Sequence, residues 1–306
     1  MKPNFSKLFE IVFLLALIGG SAGLSFTLVS RHLETQGKQK VEQAKNLLDR
    51  EKYHEAIAAY DQLLEDDPTQ SHLLWINRGF AWLGLGNYDE MLQSCSKAAK
   101  IKPQEALAWN CRGEALYSLS RPKAALESFN RALVSNPRSR LSGIILLNKG
   151  RVLADLGQYA QAVTASEQGI KLLSKLNQKD VAHDRNLGIA FNQQGQSLLK
   201  LKQNKRALIA FNQSLKFMPD DLSAQQGRGI ALYRLGFYDR AVNIFTKVLQ
   251  RDDLTQEQQA INWLYQGISL CQTSKVDAAS QAFEQVLKLT TEPQVQAIAN
   301  AGCGIR

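Results

Sequence analysis

The nine residues FNRALVSNP, from Phe129 to Pro137, recur in the same frame as FNQSLKFMP from Phe211 to Pro219. The same interval separates Tyr60 from Pro68 and Cys95 from Pro103. A chain that reuses one frame is assembled from like units, each burying its apolar side on the next. This constrains the fold more than the length does. At 306 residues a chain could otherwise hold about two globular domains.

Counting back from each frame gives a block of about 34 residues, clearest from Ala106 to Ser139. Trp109, Gly113 and Leu116 fall four and three apart, and Ala125, Phe129, Ala132 and Leu133 follow the same helical period, so each block reads as two helices. Gly113 and Ala125 are small enough for the helices to approach, while Trp109, Leu116 and Phe129 fill the space around them. Pro137 lacks a backbone donor and ends the second helix.

The order Trp, Leu, Gly, Tyr, Ala, Phe, Pro resembles the tetratricopeptide repeat. Other copies begin at Ala44, Trp75, Gly150, Phe191, Gly229 and Trp263. The resemblance implies an all-α, right-handed superhelical solenoid of about seven helix pairs. The fourth copy departs from the pattern, with Ser166 and Gly169 where a large and a small residue are usual, and it reads as the weakest. A polar insertion, NQKDVAHDRNL from Asn177 to Leu187, extends a helix or forms a loop. The organisation expected is a tail, anchor and linker over 1–36, repeats over 37–293, and a capping stub over 294–306. That stub is short for an apolar end, which then packs on itself, on a partner or on a second copy.

Ile11 to Ser30 reads IVFLLALIGGSAGLSFTLVS, twenty residues without a charge. As a helix it would span roughly 30 Å, the thickness of a bilayer core. We expect a single N-terminal transmembrane helix, with a cleaved secretory signal ending near Gly23 as the alternative. Lysine and arginine are more numerous after the segment (Arg31, Lys38, Lys40, Lys45, Arg50) than before it (Lys2, Lys7), which leans the repeats towards the cytoplasm. Cys95, Cys111, Cys271 and Cys303 show no CxxC pair and read as separate thiols, which suits a reducing compartment.

The net charge of +9 is uneven: residues 100 to 151 hold ten Lys/Arg against three acids, and residues 31 to 70 hold six against nine. A basic middle suits an acidic protein, an anionic membrane surface or a nucleic acid. No catalytic chemistry is recognisable. His32, His54, His72 and His183 have no metal-ligand spacing, and Gly84-Leu85-Gly86 follows no strand that would make it a phosphate loop, so it reads as a helix end. Neither a metal, a cofactor, a small-molecule substrate nor an enzymatic activity is expected.

Function is then expected on the face opposite each first helix's packing stripe. In the tetratricopeptide family this face lines the concave groove, which implies a protein- or peptide-binding set of Asn77, Phe80, Asn110, Tyr117, Asn148, Arg151, Asn192, Gln193, Gln196, Gln226, Tyr233, Arg234 and Tyr265. Recurring amides can bond an extended peptide, with tyrosine rings to stack on and arginine to meet an anion. Some family members clamp a terminal carboxylate with Lys and Asn on three successive first helices; the corresponding positions here read Val41, Lys45, Asn77, Leu107 and Cys111, so only part of that set is present and such a clamp is not expected. The expectation is a membrane-anchored interaction scaffold or assembly factor, with a nucleic-acid-binding helical repeat as the alternative.

Overall fold

The computed structural model describes residues 22–66, 71–135, 140–175 and 181–304. Among them are fifteen α-helices and no strand. The chain divides after Asn136 into two compact units. The first holds α1 (Ala22–Asp49), α2 (Tyr53–Asp66), α3 (His72–Gly84), α4 (Tyr88–Ile101), α5 (Ala106–Ser118) and α6 (Pro122–Ser135). The second holds α7 (Arg140–Asp155), α8 (Tyr159–Ser174), α9 (Val181–Lys200), α10 (Asn204–Phe217), α11 (Leu222–Arg234), α12 (Tyr238–Leu249), α13 (Gln256–Gln272), α14 (Val276–Leu289) and α15 (Pro293–Ala301), closed by a 3-10 turn over Gly302–Gly304.

Each repeat is a first helix packed on a second. In the first unit the ring of Phe129 on α6 lies over Gly113 on α5, and both residues are buried. In the second unit Phe211 meets Gly195, Phe245 meets Gly229 and Phe283 meets Gly267 in the same way. Two residues before each second helix the backbone enters the left-handed region. Gly86, Gly157 and Gly236 take it at φ of 71° to 82°, while Glu51, Ser120, Lys202 and Ser274 take it at 57° to 60° despite carrying a Cβ. Gly84-Leu85-Gly86 is thus the helix end expected.

Within the first unit α1 packs on α3 and α3 on α5; within the second, α7 packs on α9, α9 on α11 and α11 on α13. Second helices make no comparable contacts among themselves. First helices therefore form one face of each unit and second helices the other.

Several expectations change. Most of the Ile11–Ser30 segment lies outside the described residues; Ala22 to Ser30 begins α1, which continues through Gly37 to Asp49. No helix among the described residues is long and apolar enough to cross a membrane. Pro68 and Pro137, expected to end helices, also lie outside the described residues, whereas Pro103 and Pro219 each follow the capping residue of a second helix. The insertion contributes a helical extension from Val181, giving α9 its 20 residues.

The cysteines are paired, contrary to the expectation of separate thiols. Cys95 on α4 is bonded to Cys111 on α5, with Cα atoms 5.7 Å apart, and Cys271 on α13 to Cys303 in the terminal turn, at 5.2 Å. The first pair is explained by register: Cys95 stands where other repeats carry an aromatic ring, and a Cβ on Gly79 would meet both sulfurs. Sequence spacing hid it because the partners are sixteen residues apart and meet only through the helix pairing. The second pair fastens the C-terminal stub, whose buried Ala299 and half-buried Val295 pack with Phe283 and Val286. The fourth repeat compensates for its departures with Gly143 and Gly169: a Cβ on Gly169 would lie 3.0 Å from the Gly143 carbonyl, and Leu147 and Leu173 fill the flanks.

Candidate protein-binding face

The first unit absorbs much of its expected groove set into its own packing. Asn110 is buried, 4% exposed, and donates from Nδ2 to Glu114 Oε1 at 3.1 Å, so it does not present a groove amide as expected. The wheel argument failed here because α5 has first helices and its own second helix around it, leaving little of its surface open. Phe80 is half-buried against Met91, Cys95 and Ala81, and Tyr117 is half-buried. Asn77 lies beside the fully buried Tyr60 hydroxyl. Burial pushes that phenol up to about 12, and the Asn77 amide pulls the other way without meeting hydrogen-bond geometry.

The second unit brings four of its nine expected residues to one hollow of about 540 Å³ between α7, the start of α8 and α9. Arg151, Asn192, Gln193 and Gln196 all line it, together with Asp155, Tyr159, Ile189 and Lys200. Asn148, one turn earlier on α7, is half-buried and does not line it. Sequence reasoning missed Asp155 and Lys200, although each follows a chosen residue by four, Arg151 and Gln196, and so shares its helix face.

Two of the hollow's amides are committed. Asn192 Nδ2 donates to Asp221 Oδ2 at 2.9 Å, and Asp221 Oδ1 in turn accepts from the backbone N–H of Ser223 and Ala224, capping α11. Gln196 Nε2 donates to Ser223 Oγ at 2.7 Å and to Asn192 Oδ1 at 3.4 Å. This network ties α9 to the start of α11. Gln193 is different: its Oε1 is buried and accepts no hydrogen bond, and on α11 the Nε2 of Gln226 is buried without an acceptor. An unmet buried amide is costly and is ready for a partner.

Two of the remaining expected residues, Tyr233 and Tyr265, belong to an aromatic cluster. Tyr233 on α11 packs edge-on against Tyr265 on α13 at 6.0 Å and tilts against Tyr238 at 5.8 Å, while Tyr265 stacks on Phe245. Burial, with Tyr238 and Tyr265 adding to it, raises the Tyr233 phenol above its usual value. Arg234 does not wait for an anion as expected: its Nη1 donates to the Leu199 carbonyl at 2.8 Å, satisfying the C-terminal end of α9. Among the described residues no group of three or more His, Cys, Asp or Glu is placed to hold a metal ion.

The repeat geometry defines an all-helical repeat protein. The chain belongs to the tetratricopeptide repeat family, whose model matches residues 41–106, 97–140, 110–174 and 227–292. It is similar to human tetratricopeptide repeat protein 28, 33% identical over 101 residues, which is 33% of this chain and 4% of that protein. The chain thus spans a small part of this relative's length. Among solved structures it resembles PilW, described as a widely conserved type IV pilus biogenesis factor, at TM-score 0.60 and 21% identity over 74% of this chain and 97% of that one. It also resembles YrrB, described as a TPR protein with an unusual peptide-binding site, at TM-score 0.55 and 18% identity over 68% and 98%.

Proposed function

We propose that this protein is an interaction scaffold or assembly factor that grips an extended protein segment in the hollow between α7, α8 and α9, and that Ile11–Ser30 holds it to a membrane. The observation that carries the first part is the hollow itself. It is lined by charged side chains of both signs and holds the unmet Oε1 of half-buried Gln193, an acceptor suited to a peptide N–H, with the Lys200 ammonium as a donor beside it. Tetratricopeptide proteins generally mediate protein–protein interaction and assembly, and the pilus factor and the peptide-binding protein with this fold accord with both roles.

The anchor rests on the charge-free composition of Ile11–Ser30. The two cysteine pairs suit a compartment that preserves disulfides, and we place the repeats on that side despite the flanking charge, since long domains translocate largely regardless of it.

A photo-crosslinking amino acid at Gln193, with a matched control at exposed Lys247 on α12, tests the scaffold in native membranes. Selective crosslinking of a protein segment from Gln193 is the expected result, and equal labelling from both positions counts against it. Retention of the full chain through an alkaline carbonate wash tests the anchor, and release into the wash refutes it.

A further inference from the structure

One arginine register recurs before Gly79, Gly113 and Gly229, and on α3 and α11 it stands in opposite electrostatics. Arg78 precedes Gly79 on α3, and Arg228 precedes Gly229 on α11. Arg78 is surrounded by acceptors: its Nε donates to Asp61 at 2.6 Å, and its Nη1 donates to Ser94 Oγ at 2.7 Å and to Glu90 at 3.4 Å. Asp61 follows Tyr60 as Asn212 follows Phe211, and Glu90 and Ser94 stand two and six residues after Tyr88 as Arg240 and Ile244 stand after Tyr238. The second unit has therefore replaced all three acceptors, one carboxylate by an amide, one by a second arginine and the hydroxyl by a hydrocarbon.

The replacements leave a place where the first unit keeps its carboxylates. Asn212, Arg228, Arg240 and Ile244 line a hollow of about 260 Å³ with Leu208, Leu232 and Asn243, opening between the second helices α10 and α12. Arg228 Nε is buried there without a hydrogen-bond partner. Neither Arg228 nor Arg240 has an ion pair among the described residues, and burial together with the Arg240 charge pushes the Arg228 guanidinium below its ordinary value. Two like charges facing an apolar wall, one with a donor unmet, are stabilised by an anion from outside.

We propose that Arg228 and Arg240 form a carboxylate-binding site for an acidic segment of a partner protein, on the face opposite the first-helix groove. A carboxylate is favoured over other anions because Asp61 and Glu90 occupy the corresponding positions around Arg78. Asn212 and Asn243 at the rim supply amides to a peptide that carries the acid in. The site is independent of the α7–α9 hollow and uses none of its residues.

The test titrates the full chain with end-blocked hexaglutamate by calorimetry, with hexaglutamine and inorganic phosphate as separate probes. Arg240→Glu sets a carboxylate opposite Arg228 from α12, and Asn212→Asp does so from α10. Each should weaken hexaglutamate binding by about tenfold or more, the loss expected when a charge-paired contact is removed. The melting temperature should hold or rise in both, because each rebuilds a pairing that Arg78 already makes, so loss of binding is separable from loss of fold. Lys247→Glu makes the same charge change on α12 outside the hollow and should change affinity little. The proposal is overturned if the parent does not bind hexaglutamate, if Lys247→Glu weakens it as much as Arg240→Glu, or if phosphate binds at this site and hexaglutamate does not.

Discussion

Gly113 lies beneath the ring of Phe129, so close that a Cβ added to the glycine would stand 2.6 Å from Cε1 of the ring. The two residues act as one joint between α5 and α6. Phe129→Ala removes a fully buried ring and should cost about 3 to 5 kcal/mol, while Gly113→Ala overpacks the joint and should cost about 1 to 3 kcal/mol. The double variant should cost less than the sum, because the new methyl enters space the ring has left. Denaturant titration of the four proteins checks this, and strict additivity would mean that the ring and the glycine do not share a joint. Phe211 with Gly195 should behave alike.

This joint was legible in the sequence because period and side-chain size are both local properties. So were the order of helix pairs and the left-handed turn at Gly86. The cysteine pairs were not: Cys271 and Cys303 meet only after α14 and α15 have folded back on α13. The groove was half legible. A helical wheel finds the face of a helix but not what covers it, so it put Gln193 and Arg151 on a face that lines the hollow and could not see that Asn110 is buried or that Asn192 is spent on Asp221.

The Cys271–Cys303 bond should matter most for the last repeat. Closing a separation of 32 residues restricts the unfolded chain by about 3 to 4 kcal/mol in the loop-entropy account. Cys303→Ser should lower stability by that order and raise hydrogen exchange in α15 and the end of α13, leaving α10 unchanged. Unaltered exchange in α15 would show that packing of Val295 and Ala299 holds the stub without the bond.

Tyr60 gives a dependence on alkaline pH. Its phenol is pushed up to about 12 in the folded chain, by burial first, and ionises near 10 once unfolded. The folded state thus keeps a proton that the unfolded state gives up, so the contribution to stability is intact below about pH 10 and is lost as pH climbs from about 10 to about 12. Stability measured across that window should fall less steeply for Tyr60→Phe than for the parent. Parallel curves would mean that Tyr60 ionises as freely in the folded chain as in the unfolded one.

The unmet amides of the first helices α9 and α11 predict a separation of stability from binding. Gln193 Oε1 and Gln226 Nε2 are buried and unmet, so Gln193→Leu and Gln226→Leu remove polar atoms that cost the isolated fold and should hold or raise its melting temperature. Each should nonetheless weaken capture of the segment recovered by crosslinking, by about 0.5 to 1.5 kcal/mol if its amide bonds that segment. Asn192→Ala works the other way. It strips a 2.9 Å hydrogen bond from Asp221, the residue that caps α11, and should lower stability by about 1 kcal/mol. Melting curves and affinity for the same crosslinked segment, measured on all three variants, decide the matter: if the two leucine variants bind as the parent does, extended segments are not held at the first-helix amides and the scaffold works through another surface.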